Sequence, residues 1–317
     1  MKKLLITGGS GFLGQHLGRR LKNQFEVVLA SRNQKALFAI GNKLGVETAP
    51  LDVASYSATY ELFKRVRPDV VIHAAATKFV DLAEKYPNDC IDTNIRGSQN
   101  VARAAIENDV SYVVGISTDK ASPPISNIYG LTKAVMEKLF VSLNDVAGTR
   151  FSCVRYGNVA WSTGSVFPIW QQMLREKGRI LTTGPEMSRF FFPVTDAVGL
   201  IQTAIKHENI IAGKVLSLPM KGAEVRRILD LWTKETETTW ELGPRRPGDR
   251  DLEYLISEIE KRKTAQISLE GKDFFLLDLN AHQVVDHLPD EYSSRTANQL
   301  TDSEILDLVL YNPITEV

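Results

Sequence analysis

The chain of 317 residues has only two cysteines, Cys90 and Cys153. They stand far apart among apolar neighbours, without the spacing of metal ligands. A disulfide framework is excluded, no metal site is expected, and the compartment implied is reducing and cytoplasmic. Neither sign of charge is in excess: 38 Lys and Arg balance 38 Asp and Glu. A nucleic acid or an anionic membrane therefore finds no bulk attraction, and any bound anion must be met by a local set of donors. Long apolar runs are also missing. Met1-Lys2-Lys3-Leu4-Leu5-Ile6 begins like a secretion signal, but Gly8 and Gly9 interrupt it at once. No stretch approaches the ~20 apolar residues of a membrane span, so a soluble protein is expected.

What the chain does have is alternation. Hydrophobic residues make up 43% of it, enough for a sizeable core. Short β-rich runs at 3–7, 26–30, 47–51, 70–73, 112–116 and 151–156 are separated by helical patterns. Leu13, Leu17 and Leu21 form one apolar stripe; 94–106 and 129–146 are further helices, the latter burying Ala134, Val135, Leu139 and Leu143. This pattern predicts an α/β fold, a doubly wound parallel Rossmann sheet with helices on both faces. After Asn158 the segments shorten, and glycine, proline and aromatic residues rise. A helix at 194–206 and a strand at 215–218 return to the sheet, with further helices at 226–235 and 303–310. The expected organisation is a dinucleotide-binding domain at 1–158, rejoined by 194–218. A smaller interleaved C-terminal domain at 159–193 and 219–317 would bind substrate.

Thr7-Gly8-Gly9-Ser10-Gly11-Phe12-Leu13-Gly14 follows the first strand and opens the first helix. Gly8 permits the tight turn, Gly11 lets backbone approach a pyrophosphate, and Gly14 lets helix and strand pack closely. The helix N-terminus offers its free N–H groups to that anion. One more absence is informative here. NAD enzymes usually carry an acidic residue at the end of the second strand, to hold the ribose 2′-hydroxyl. This chain has Ser31 and Arg32, with Lys35 beyond, which suit a 2′-phosphate. NADP is therefore expected over NAD. Asp52 and Val53 would meet the adenine, Ala74, Ala75 and Ala76 would let the cofactor lie against backbone, and Tyr156 closes the set.

Tyr129 and Lys133 lie four apart, on one face of a helix. A phenol titrates near ~10 and is a poor base at neutrality. A neighbouring ammonium and a positive nicotinamide ring favour its ionised form, so that it can take a proton from a carbinol. Ser117, ending the preceding strand, can bond the same oxygen. Among the remaining polar residues, Lys78 and Asn158 face the same crevice at strand ends. His73 and Phe190-Phe191-Phe192 read as packed residues.

These motifs resemble the extended short-chain dehydrogenases/reductases. Ser117-Thr118-Asp119-Lys120-Ala121 followed by Tyr129-Gly130-Leu131-Thr132-Lys133 is similar to the configuration-inverting UDP-N-acetylglucosamine 4,6-dehydratases of capsule and flagellin sugar biosynthesis. So are Arg155-Tyr156-Gly157-Asn158-Val159, Gly164-Ser165-Val166, Met187-Ser188-Arg189-Phe190, Arg246-Pro247-Gly248-Asp249 and Tyr292-Ser293-Ser294. The resemblance spans nearly the whole chain. It implies a cycle in which C4 oxidation acidifies the C5 proton, water leaves from C5–C6, and hydride returns to C6. Lys120 would act at C5 and Asp119 at the C6 oxygen, beside Ser117, Thr118, Tyr129 and Lys133. Neighbours on a strand face opposite ways, so both reach substrate only if the chain turns at about Thr118. Acting as base would also require that Lys120 have a lowered pKa. Lys78, Asn158, Ser165, Val166, Arg189, Arg246 and Asp249 would bind a nucleotide sugar, the two arginines at its diphosphate. A homo-oligomer is further implied. Two departures stand out. Lys120 and Tyr129 are nine apart, one more than the resemblance implies, which places an insertion at Ser122-Pro123-Pro124 beside the C6 group. Asp249 stands where glutamate is commoner.

Competing readings remain open on the residues alone. A nucleotide-sugar 4-epimerase would need Tyr129 and Lys133 but not Asp119-Lys120. A non-catalytic NADP-binding regulator would need neither pair, and a net oxidoreductase would consume its nicotinamide.

Overall fold

A strand covered on both faces needs an unbroken apolar run, because successive side chains point to opposite layers. Strand β1 (Lys3–Thr7) meets this condition with Leu4, Leu5 and Ile6, all fully buried. Leu4 and Ile6 enter one core layer with Leu29 and Ile72, and Leu5 enters the opposite layer with Val28 and Val71. The first layer is closed by the helices Phe12–Leu21, Gln34–Leu44 and Val194–Lys206. The second is closed by Tyr56–Val66, Gly97–Glu107 and Ile128–Asn144.

The computed structural model describes residues 1–144, 148–244 and 248–311. The remaining strands of the main sheet are β2 (Glu26–Ser31), β3 (Glu47–Pro50), β4 (Val70–His73), β5 (Tyr112–Ile116), β6 (Arg150–Val154), β7 (Val215–Ser217), β8 (Thr264–Leu269) and β9 (Lys272–Leu277). Their order is β8-β9-β7-β6-β5-β4-β1-β2-β3. From β3 to β7 every pairing is parallel. The chain reverses direction of winding between β1 and β4, and in such sheets ligands bind at the carboxyl ends beside that switch point. The result is the doubly wound Rossmann sheet that the alternation predicts.

Val215–Ser217 does return to the sheet, pairing with β6. The hairpin β8–β9 falls within 219–317, the stretch assigned to the substrate domain, yet it extends the main sheet through β9 against β7. A strand as short as β7 would otherwise present an open edge. The helix expected at 94–106 begins with a π-helical turn, Asp92–Arg96, before its α-helical part. On the helix expected at 129–146 Val135 is exposed, not buried as expected, and the last residues lie outside the described residues.

The second unit packs on its own aromatic core: Trp161, Phe167, Trp170, Phe191 and Trp232 bury against one another. Phe190 and Phe192 are buried in the main core, and both cysteines are buried free thiols. Among the described residues no helix is long and apolar enough to cross a membrane, and no cluster of ligating side chains could hold a metal.

One buried ionic group joins the end of β6 and helix Ile128–Asn144 to the segment that leads into the edge hairpin. Arg155, 1% exposed, is bonded through Nε and Nη2 to both carboxylate oxygens of Glu137, at 2.9 and 2.6 Å. Nη1 and Nη2 reach Glu260 at 3.0 and 2.9 Å. Removing one partner of such a group strands the others. Arg155→Met is expected to lower the unfolding free energy by about 3–5 kcal/mol, measured by urea denaturation; an unchanged midpoint would refute this account of the joint.

Candidate active site

The glycine loop shows directly why its residues are small. Gly8 has φ +73, and a Cβ there would lie 2.8 Å from the backbone of Ala74 and Ala75. A Cβ on Gly14 would lie 2.6 Å from the Gly8 carbonyl, so helix Phe12–Leu21 could not sit so close to β1. Ser10 accepts a hydrogen bond from Ser31 at 2.8 Å, which ties the loop to the end of β2.

A cavity of about 840 Å³ opens between this carboxyl edge and the second unit. Gly8, Ser10, Gly11, Phe12, Leu13, Gly14, Ser31, Arg32, Val53, Ala74, Ala75, Ala76 and Tyr156 all line it. Three residues expected with them do not. The Thr7 hydroxyl is buried, bonded to His73 Nδ1 at 2.8 Å and accepting the Ala75 N–H at 3.3 Å, so it joins β1 to β4. Asp52 accepts the Ala54 N–H at 3.0 Å in a turn, leaving Leu51 and Val53 on the wall. Lys35 is exposed on the outer side of its helix. His73, whose Nε2 lies 3.1 Å from the Ser98 hydroxyl, is a packed residue; burial, then Lys133, lower its pKa to about 3.

Deeper in the cavity stand Ser117, Thr118, Lys120, Tyr129 and Lys133. The Ser117 hydroxyl is buried, with no hydrogen-bond partner among the described residues. Burial pushes the Tyr129 phenol up to about 12, and the cation that opposes this shift is Lys120. Lys133, the ammonium expected to do so, is itself lowered to about 8 by burial, and its Nζ lies 3.2 Å from the Met136 sulfur.

The chain does turn after Thr118, into a short 3-10 helix, Asp119–Ala121. The turn brings only one of the two charged residues to the cavity. Lys120 lines it; Asp119 is fully buried behind, its Oδ1 accepting from the Thr118 hydroxyl at 3.0 Å and from Lys120 Nζ at 3.1 Å. A second carboxylate, Glu253, lies 3.4 Å from the same Nζ and does line the cavity. Burial presses the Lys120 ammonium toward neutrality, but Asp119 and Glu253 together outweigh it and raise the pKa. The lowered pKa expected of this lysine is therefore not found in the ligand-free protein. Glu253 escaped the sequence reading because Asp249-Arg250-Asp251-Leu252-Glu253 looks like any charged surface run.

Ser122, Pro123 and Pro124 do not line the cavity. The Ser122 hydroxyl instead donates to Glu260 at 2.6 Å, which ties this stretch to the buried Arg155 group.

Toward the second unit, Lys78, Asn158, Ser165, Val166, Arg189 and Asp249 line the cavity. The Ser165 hydroxyl is buried, with no partner among the described residues, at the start of helix Val166–Lys177. Arg189 spends its guanidinium on backbone, donating to the Ser188 carbonyl at 2.9 Å and the Arg250 carbonyl at 2.6 Å. It is therefore poorly placed to fork onto a diphosphate as expected. Arg246 lies outside the described residues. Trp170, Met173, Leu181 and Phe191 supply an apolar wall that no motif announced.

A Rossmann sheet with this glycine loop and a Ser/Tyr/Lys cleft defines an extended short-chain dehydrogenase/reductase. The chain belongs to the polysaccharide biosynthesis protein family, whose pattern matches residues 4–270. It is 38% identical over 208 residues to the UDP-N-acetylglucosamine 4,6-dehydratase (inverting) of Campylobacter jejuni, covering 63% of this chain and 62% of that one. It is 32% identical over 341 residues to the UDP-glucose 4-epimerase of Rickettsia rickettsii, covering 98% and 95%. The X-ray structure of Pen from Bacillus thuringiensis superposes with a TM-score of 0.88 at 27% identity, covering 98% and 97%.

Lys78 offers a test of the cavity's electrostatics. It opens to the cavity mouth, yet surrounding protein lowers its pKa to about 8. About half its amine is then neutral at pH 8, against well under a hundredth for an ordinary lysine near ~10.4. An amine-selective reagent at pH 8 should label Lys78 ahead of other lysines, as mapped by peptide mass. Labelling at the common rate would refute the lowered pKa.

Proposed function

We propose that this protein is a nucleotide-sugar 4,6-dehydratase that uses NADP, acts on UDP-N-acetylglucosamine and gives a 4-keto-6-deoxy product inverted at C5. The observation that carries this reading is the turn at Thr118-Asp119-Lys120, with the Lys120 amine in the cleft and Asp119 bonded directly behind it. The similarity to the inverting dehydratase supports the sugar and the C5 outcome.

The residues around the loop fit a dinucleotide: glycines whose Cβ would clash, a wall of alanines, and an unpartnered Ser117 hydroxyl facing the cleft. Gly8 through Gly14 would hold its pyrophosphate, and Ser31 with Arg32 would hold a 2′-phosphate. When bound, the nicotinamide ring supplies reversible hydride transfer. Tyr129 holds and moves the proton at the C4 oxygen, with Ser117 bonded to the same atom. The 3.1 Å hydrogen bond between Lys120 and Asp119 lets the resting ion pair become amine and carboxylic acid by one proton shift. The amine would then take the C5 proton, and a proton from Asp119, which does not itself line the cavity, would reach the departing C6 oxygen through Lys120 as water leaves. Lys78 and Ser165 would bind the sugar nucleotide, with Arg246 and Asp249 assigned to its diphosphate and ribose. A homo-oligomer belongs to this reading; Leu131 and Val135, four apart on the catalytic helix, are about half exposed.

A 4-epimerase is the second reading, favoured by the near full-length similarity to that enzyme. Incubation with UDP-N-acetylglucosamine distinguishes the two. A dehydratase should give a product lighter by one water, carrying deuterium at C5 when the reaction runs in heavy water, and Lys120→Met should abolish both. A product of unchanged mass, formed equally well by Lys120→Met, would overturn the dehydratase and favour the epimerase.

Cofactor choice is tested separately. NADP should be released on denaturing the purified protein, and Arg32→Asp should shift binding toward NAD. Recovery of NAD alone would refute the assignment of Ser31 and Arg32.

A further inference from the structure

The site contains a charged cluster that the reaction scheme leaves unused. Glu253 is almost fully buried and faces the cavity, and its Oε1 lies 3.4 Å from Lys120 Nζ. Two arginines flank it: Arg250 Nη1 is 3.4 Å from Oε2, and Arg189 Nε is 3.8 Å from Oε1. The backbone holds this cluster firmly. The Glu253 N–H donates to the Ser294 hydroxyl at 3.1 Å, the Ser294 N–H donates to the Glu253 carbonyl at 2.8 Å, and Arg189 donates to the Arg250 carbonyl. A buried carboxylate is costly unless it is paired, and here it is paired with the Lys120 amine in the cleft.

We propose that Glu253 is a positioning residue, which anchors the Lys120 amine at the cleft wall and sets how readily it gives up its proton, with Arg189 and Arg250 trimming that effect. The inference rests on the dehydratase reading, in which Lys120 is the C5 base. In the resting pair Lys120 meets two carboxylates. Once the proton shifts to Asp119, Glu253 is the anion left on Nζ. It keeps the amine aimed across the cleft and favours its recapturing a proton, here the one at C5. Too strong an anion would lock Lys120 as an ammonium. The two arginines flanking Glu253 offset its charge and prevent this. The charged and titratable groups facing Lys120 are Asp119, Glu253, Arg189 and Tyr129, and the first two raise its pKa while Arg189 lowers it.

The sign of each contribution can be tested without turnover. In ligand-free protein labelled with ¹³C-lysine, the Lys120 side-chain signal, assigned by its loss in Lys120→Met, is titrated with pH. Glu253→Gln removes the anion and should lower the Lys120 midpoint by about one pH unit; Glu253→Asp should restore part of the shift. Arg250→Met removes a cation and should move the midpoint the opposite way. In turnover, Glu253→Gln should shift the ascending limb of kcat to lower pH, whereas a merely structural residue would reduce activity without moving it. Lys120 midpoints unchanged in folded Glu253→Gln and Arg250→Met would overturn the inference. Because the titration needs no substrate, a wild type that fails to dehydrate would remove the dehydratase reading and leave the link between Glu253 and Lys120 to be decided by the titration.

Discussion

A single buried guanidinium sets the geometry of the site. Arg155 cannot lie inside the protein without anions, and it draws them from two directions. Glu137 comes from the helix that carries Tyr129 and Lys133, and Glu260 from the segment that leads into the edge hairpin. Glu260 also accepts from Ser122, which ends the turn containing Asp119 and Lys120. One side chain thus fixes the helix with the phenol and the turn with the amine relative to each other. The aromatic core of the second unit can then close over a cavity whose floor is already defined.

Burial acts on every ionisable group in this cleft, and the outcome depends on who its neighbours are. Lys120 and Lys133 are both lysines deep in one cleft. Lys133 meets a thioether and is pressed toward the neutral form. Lys120 meets two carboxylates, and its pKa rises. Tyr129, in the same cleft, has its pKa raised by burial and eased by Lys120. Desolvation penalises charge uniformly; ion pairing restores it selectively. This is how one cleft can hold one amine pressed toward the neutral form and another held cationic.

The local features were legible because each rests on a short-range cause. Alternating apolar runs marked the strands; Gly8 and Gly14 marked the turn and the close helix–strand approach; Tyr129 and Lys133 marked a helical face. The resemblance then named a class of chemistry. Other residues stand differently from what their place in the chain suggests, for equally physical reasons. The Thr7 hydroxyl is bonded to His73, and Asp52 Oδ1 accepts from Ala54 in a local turn, so neither residue lines the cavity. Arg189 is adjacent to the cleft, yet backbone carbonyls claim its donors.

By itself the sequence determined the Rossmann architecture, the loop suited to a dinucleotide and the Ser/Tyr/Lys face, since all depend on contacts among residues close along the chain or on a strict period. Only the tertiary structure decided that Lys120 faces the cavity while Asp119 lies behind it, and that the hairpin β8–β9 completes the main sheet. It alone revealed that Glu253, 133 positions beyond Lys120, is that lysine's second carboxylate. Such pairings depend on how far-separated segments pack, and a charged residue carries no mark of the partner that folding will bring to it.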